Sequence, residues 1–240
     1  MPTLQVRDIR MYYEMHGQGE PLLLIPGLRS RVSDYGRVID RLSTTFHVVA
    51  VDNRGAGFTD KPNAPYSIEM MADDAAGLLS ALDLGQANVL GVSMGGRIAI
   101  DLALRHADLV RSLVLVATSA RGAAKLGLFG NLLAVALRIP GLRSLGRDPQ
   151  PYYAFMRQRE ASRNYDATAR LSDIRVPTLI VHGTRDRRAL LPHAQEMHEE
   201  IMGSQMVTLS GGHLILFFRT EACVAAITEF LRAAEASPAS

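Results

Sequence analysis

Residues 88–100 constrain the chain more than any other stretch: Asn88-Val89-Leu90-Gly91-Val92-Ser93-Met94-Gly95-Gly96-Arg97-Ile98-Ala99-Ile100. The first part is a short apolar run of the kind that fills a buried strand. The last part has the apolar spacing of an amphipathic helix. Between them Gly91-Val92-Ser93-Met94-Gly95 follows a G-x-S-x-G pattern. A strand that passes straight into a helix must turn sharply, and the turn lifts its central serine out of the sheet. Side chains two positions to either side would collide there. Glycine removes them and tolerates the strained backbone. The first helical turn leaves backbone N–H groups without intrahelical partners, directed at the space above Ser93 where an oxyanion would form. The bare pattern arises readily by chance; the strand before it and the helix after it give it weight. Ser93 is the candidate nucleophile.

The rest of the chain alternates strand and helix around this point. Residues 3–8 and 10–16 alternate as two strands, with a turn at Gly17-Gln18-Gly19. Residues 21–25 form an unbroken apolar run, expected of a strand covered on both faces. A helix is expected over 33–42, a buried strand over 46–51, and a helix over 68–82 capped by Ser67. The helix after Ser93 should reach about His106, and 111–117 reads as another buried strand. After a break come a strand over 177–182, a helix over about 192–201, a strand over 205–209 and one final helix from about 214 to 234. Eight strands alternating with helices predict an α/β architecture, a mostly parallel sheet wound on both faces.

The break, residues 121–172, is too long for a loop within a compact domain. It contains the apolar stretch 126–137, which holds Asn131 and two glycines and is too short for a membrane span. A small helical cap over the C-terminal edge of the sheet accounts for it better than a loose, membrane-touching loop, with Leu128, Phe129, Leu132 and Leu133 as candidate pocket residues. The chain's net charge of +2 is too small to argue for nucleic acid. The charge is nevertheless uneven. Residues 121–175 hold ten Lys/Arg against four Asp/Glu, and the remainder is net negative. One cysteine, Cys223, excludes an internal disulfide and a cysteine-rich metal site. The first residues lack a basic-then-apolar signal pattern, so a cytoplasmic protein is expected.

A serine hydroxyl needs a base to take its proton, and the base needs a carboxylate to hold its tautomer. Of seven histidines, His213 follows Gly211-Gly212 directly after the last strand, in a loop above the edge where Ser93 should stand. His16, His47 and His106 lie early or on the wrong face, and His193 and His198 read as helix-surface residues. His182 also ends a strand, but its neighbour Asp186, in Gly183-Thr184-Arg185-Asp186, fits the acid role better. The rival readings of Asp186 are a turn aspartate or an ion pair with Arg185 or Arg187. The order Ser93, Asp186, His213 places each residue at a strand end.

On these residues the sequence resembles the α/β-hydrolase superfamily over nearly its whole length. Residues 52–62 are similar to that family's D-x-R-G-x-G-x-S-D-x-P loop, with Thr59 in the serine place. Gly91–Gly96 is similar to its nucleophile turn, 177–186 to its acid strand, and Gly211-Gly212-His213 to its base loop. Pro26-Gly27-Leu28 resembles the oxyanion loop, with proline where histidine is commoner. The resemblance implies oxyanion donation from the backbone N–H groups of Leu28 and Met94, and a structural, loop-tying role for Arg54. It divides the chain into a hydrolase core, 1–120 and 173–240, and the cap, 121–172, inserted after the sixth strand. Within the superfamily, Ser67-Ile68-Glu69 and the run from Ser93 to Arg97 are similar to β-ketoadipate enol-lactonases and small bacterial carboxylesterases. Haloalkane dehalogenases and epoxide hydrolases place aspartate where Ser93 stands.

The expected function is hydrolysis of carboxylic esters or lactones through an acyl-enzyme, with no cofactor and no metal. The partner is a small-molecule substrate, with no nucleic acid and no membrane span, and the chain is a monomer or homodimer. Two alternatives keep the same residues: a non-turnover ligand receptor, and a lyase or perhydrolase.

Overall fold

The computed structural model describes residues 2–122 and 150–236. Its eight strands are β1 (Thr3–Val6), β2 (Ile9–His16), β3 (Pro21–Ile25), β4 (His47–Val51), β5 (Ala87–Val92), β6 (Val110–Val116), β7 (Thr178–Gly183) and β8 (Gln205–Leu209). They form one sheet in the order β1-β2-β4-β3-β5-β6-β7-β8. The pairs β1–β2 and β2–β4 are antiparallel and every later pair is parallel. The apolar run 21–25 sits in the middle, and Leu22, Leu23, Leu24 and Ile25 are all fully buried. Their alternation explains why no polar residue interrupts them. Leu23 and Ile25 face one side of the sheet and Leu22 and Leu24 the other.

Each face is covered by helices. On one side α2 (Ile68–Ala81) and α3 (Met94–Arg105) pack against Leu23, Val49, Val89 and Leu113. On the other, α1 (Gly36–Leu42) packs against Leu22, Val48, Leu90 and Val114. Ser67 begins α2 as the sequence suggested, its hydroxyl accepting the Met70 N–H at 3.1 Å. This layering has a consequence at the strand ends. Neighbouring strands β3 and β5 lead into α1 and α3, which lie on opposite faces. The chain therefore parts above the C-terminal ends of β3 and β5, the topological switch point where open α/β sheets form their crevice.

Segment 121–172 is described at 121–122 and from 150 onward. There α4 (Tyr152–Asn164) turns its buried Ala154, Gln158, Ala161 and Ser162 toward the body. Gln150 and Gln158 donate to the carbonyls of Gly55 and Arg54 at 2.6 and 2.7 Å, and the Tyr153 hydroxyl donates to the Lys61 carbonyl at 2.8 Å. Arg97, one turn beyond Ser93, donates to the Arg121 carbonyl (3.0 Å) and to the hydroxyls of Ser119 (2.9 Å) and Ser162 (2.6 Å). It thereby ties α3 to the place where this segment leaves the sheet and to α4. The apolar stretch 126–137, with Leu128, Phe129, Leu132 and Leu133, lies outside the described residues.

Two elements differ from the sequence reading. The helix expected over 33–42 opens as a 3₁₀ turn, Val32–Tyr35, before α1 begins at Gly36. The single final helix is two: α6 (Ile215–Phe218) and α7 (Thr220–Ala236). Arg219 separates them with non-helical backbone at φ −127°, ψ 38°. The break lets Ile215 and Leu216 bury beside the site while Cys223 and Ile227 bury along the sheet. After β7, α5 (Leu191–Glu200) takes the position expected for about 192–201.

Candidate active site

Ser93 stands between β5 and α3 with φ +55° and ψ −114°, a region that non-glycine residues rarely occupy. Hydrogen bonds at its backbone groups hold it there. Its N–H donates to the Val116 carbonyl at 2.9 Å, and its carbonyl accepts the Thr118 hydroxyl at 2.6 Å. The glycines are required by close approach. A Cβ on Gly95 would lie 2.0 Å from the Ile25 carbonyl oxygen, and one on Gly91 would lie 2.4 Å from that of Gly95. The collisions are thus with β3 and with the first turn of α3, more than with the serine itself.

The Ser93 Oγ is 2.9 Å from His213 Nε2, and His213 Nδ1 is 2.8 Å from Asp186 Oδ2. A carboxylate at Nδ1 fixes the ring proton there, which leaves Nε2 to accept from the serine hydroxyl. The His213 side chain is 16% exposed and that of Asp186 is fully buried, so the base can meet a substrate while its orienting acid cannot. The two oxygens of Asp186 make different contacts. Oδ2 takes His213, while Oδ1 accepts the N–H groups of Arg188 (2.7 Å) and Ala189 (3.1 Å), as a turn aspartate does. Burial alone would raise the Asp186 carboxyl; the hydrogen bonds from His213, Arg188 and Ala189 and the charge of His213 outweigh it and hold the group below the usual carboxylate range.

His182, the other strand-end histidine, lies behind this chain. It is completely buried, donates from Nε2 to the Ala189 carbonyl at 2.9 Å, and sits 3.7 Å from Asp186 Oδ2. Burial pushes its pKa down, against the pull of the Ala189 carbonyl and the Asp186 charge, and so favours the neutral ring. His16 pairs with Glu14 and His106 with Asp73, both away from Ser93.

The loop after β3 passes directly beside Ser93: a Cβ on Gly27 would lie 3.4 Å from that of Ser93. Asn53 Nδ2 donates to the Pro26 carbonyl at 2.9 Å, and the Gly27 N–H donates to the Tyr35 hydroxyl at 3.2 Å. Ser30 N–H closes the turn on the Gly27 carbonyl at 3.1 Å, and the Arg29 N–H reaches Gln158 Oε1 at 3.3 Å. Between these bonds, the Leu28 N–H has no acceptor among the described residues, and neither does the Met94 N–H at the start of α3. Two donors are left open beside a serine, an arrangement suited to a carbonyl oxygen that gains negative charge. Asp52, at the end of β4, braces the same region by accepting the N–H groups of Val32 (2.7 Å) and Phe58 (2.8 Å). Tyr35, Asn53 and Gln158 were not singled out from the sequence; each acts through side-chain polar atoms on backbone groups of another element, which no spacing rule reveals. Among the described residues no group of three or more His, Cys, Asp or Glu side chains is placed to hold a metal ion. The candidate pocket residues Leu128, Phe129, Leu132 and Leu133 lie outside the described residues.

The family described as alpha/beta hydrolase fold matches residues 20–167, and one described as TAP-like protein matches 155–239. A protein of Azorhizobium caulinodans named as a carbamate hydrolase, RutD, is 30% identical, covering 80% of this chain and 82% of its own. The crystal structure of the enol-lactonase from Burkholderia xenovorans superposes with a TM-score of 0.85 at 26% identity, covering 96% of this chain and 100% of that one. A thermophilic esterase from Thermogutta terrifontis gives 0.84 at 25% identity, covering 97% and 98%.

Proposed function

The chain belongs to the α/β-hydrolase fold family, and on that premise we propose that it hydrolyses carboxylic esters or lactones through an acyl-enzyme on Ser93. The observation that carries this reading is the unbroken line from Ser93 Oγ through His213 to Asp186, at 2.9 and 2.8 Å, beside two open backbone donors. In the proposed reaction His213 Nε2 takes the serine proton as Oγ attacks the carbonyl carbon. The oxyanion is received by the N–H groups of Leu28 and Met94. On collapse, the imidazolium gives its proton to the leaving alkoxide; in a lactone that oxygen stays tethered to the acyl group. His213 then activates water, which attacks the acyl carbon and releases the acid and the free serine. No step in this sequence calls for a cofactor. On this reading α4, in the described part of segment 121–172, belongs to a cap beside the site, and the remaining described residues form the catalytic core.

The enol-lactonase and esterase likenesses support an acyl carbonyl as the reacting group. The carbamate hydrolase name of the Azorhizobium relative favours carbamates as a second substrate class, which the same residues would cleave. A panel of p-nitrophenyl esters graded by acyl length, run beside lactones and aryl carbamates, tests the proposal. Sustained turnover of an ester or lactone is the expected result. A single burst that stalls would instead indicate a non-turnover receptor, and turnover only with hydrogen peroxide a perhydrolase.

A further inference from the structure

Gln158 is a polar side chain in the buried stripe of α4, and it is completely inaccessible to solvent. Its amide makes three hydrogen bonds. Oε1 accepts the Arg29 N–H at 3.3 Å and Gln150 Nε2 at 2.9 Å, and Nε2 donates to the Arg54 carbonyl at 2.7 Å. The two backbone partners fix the amide's orientation, since an N–H can only donate and a carbonyl can only accept. A bond from Gln158 thus joins the returning helix of segment 121–172 to the loop after β3 and the loop after β4.

The peptide units around Leu28 show what this bond controls. The Gly27 N–H is anchored to Tyr35 and the Arg29 N–H to Gln158. The peptide unit between them is held at its Gly27 carbonyl by the Ser30 N–H, at 3.1 Å, and its Leu28 N–H has no acceptor among the described residues. Arg29 itself has φ +67°, a left-handed conformation that a non-glycine residue holds only when its surroundings impose it. Tyr35 and Asn53 fix the loop before Leu28; Gln158 fixes it after Leu28.

We propose that Gln158 is a positioning residue for oxyanion stabilisation, holding the Leu28 donor in place through the Arg29 N–H and so coupling α4 to the chemical step. This inference rests on the acyl-enzyme reading above. It differs from a purely structural role because the effect should fall on the transition state.

Two variants of the full chain test it. Gln158→Leu keeps the approximate volume and removes all three bonds. Per folded molecule it should lower kcat on a p-nitrophenyl ester by about 10- to 100-fold, less than the loss of an oxyanion donor outright, while KM stays unchanged. It should also weaken a trifluoromethyl ketone, which forms an oxyanion on the serine, by the same factor. The matching methyl ketone should bind as before. Gln158→Glu serves if the leucine variant does not fold. A protonated carboxyl can accept from Arg29 and donate to Arg54 as the amide does, whereas an ionised one cannot donate. Its kcat relative to wild type should therefore approach one as pH falls and drop as pH rises. Overturning results are a pH-independent ratio for Gln158→Glu, or a folded Gln158→Leu that loses thermal stability but keeps kcat. Either would leave the Ser93 mechanism standing, whereas a wild type inert toward esters and lactones would remove both.

Discussion

Asp186 uses its two oxygens for two tasks, and its replacement separates them. Asparagine can keep the turn through its carbonyl oxygen while presenting an amide to His213, which then favours the wrong ring tautomer. Asp186→Asn should fold with a melting temperature near wild type and lose about 10⁴-fold in kcat, measured by ester hydrolysis beside a thermal melt. A nearly silent substitution would mean that another acid orients His213. These three side chains were readable in the sequence because each is a chemically distinctive residue just beyond a strand end, and a parallel sheet collects its C-terminal ends at one edge. Leu28 was readable only through resemblance to a family, since its contribution is a backbone N–H. Gln158 was not readable at all: in sequence it is one polar position in a polar, arginine-rich stretch, and only packing brings it to Arg29.

At the scale of elements, the loop after β4 is anchored by charge. Arg54 is buried and forms paired hydrogen bonds with Asp8, at 2.9 and 2.6 Å, and with Asp74, at 2.8 and 2.8 Å. It ties the β1–β2 turn and α2 to the loop that carries Asn53 and that Gln158 grips, which is the tying role the resemblance implied. Asp8 is largely exposed and adds little, whereas Asp74 is as buried as Arg54. Arg54→Ala would leave the buried Asp74 carboxylate with Arg7, at 3.7 Å, in place of its paired hydrogen bonds and should destabilise the fold by about 3–5 kcal/mol. Replacing Asp74 by leucine in the same chain should restore much of that loss, as measured by urea denaturation. A cost for the single variant within experimental error would contradict this role. The sheet was legible because its central strands are apolar runs and β1 and β2 alternate, with turn residues at their ends. The break at Arg219 was not, because the apolar spacing continues across it: Ile215, Leu216, Cys223 and Ile227 all bury, and only tertiary packing asks them to do so from two directions.

For the molecule as a whole, the sheet order sets where chemistry can occur. The crossing at β3 and β5 opens the crevice, and Ser93 and the Leu28 loop are the two chain segments that leave it on opposite faces. Charge is uneven along the chain, with the excess of Lys/Arg concentrated in 121–175. Part of it is neutralised locally, since Arg121 pairs with Glu196 and Arg157 with Glu160. If the remainder steers anionic substrates, kcat/KM for a carboxylate-bearing ester should fall between 0.1 and 1 M salt, where the screening length drops from about 10 to about 3 Å. A neutral analogue should not respond, and parallel salt curves would make these arginines ordinary surface. No helix among the described residues is long and apolar enough to cross a membrane. Covalent catalysis at Ser93 is tested by intact-protein mass spectrometry during pre-steady-state hydrolysis of a p-nitrophenyl ester. The expected result is a transient mass gain of one acyl group, located on Ser93 by peptide mapping, together with loss of both adduct and turnover in Ser93→Ala. Turnover by Ser93→Ala above a few per cent of wild type, or an acyl group carried on another residue, would contradict it.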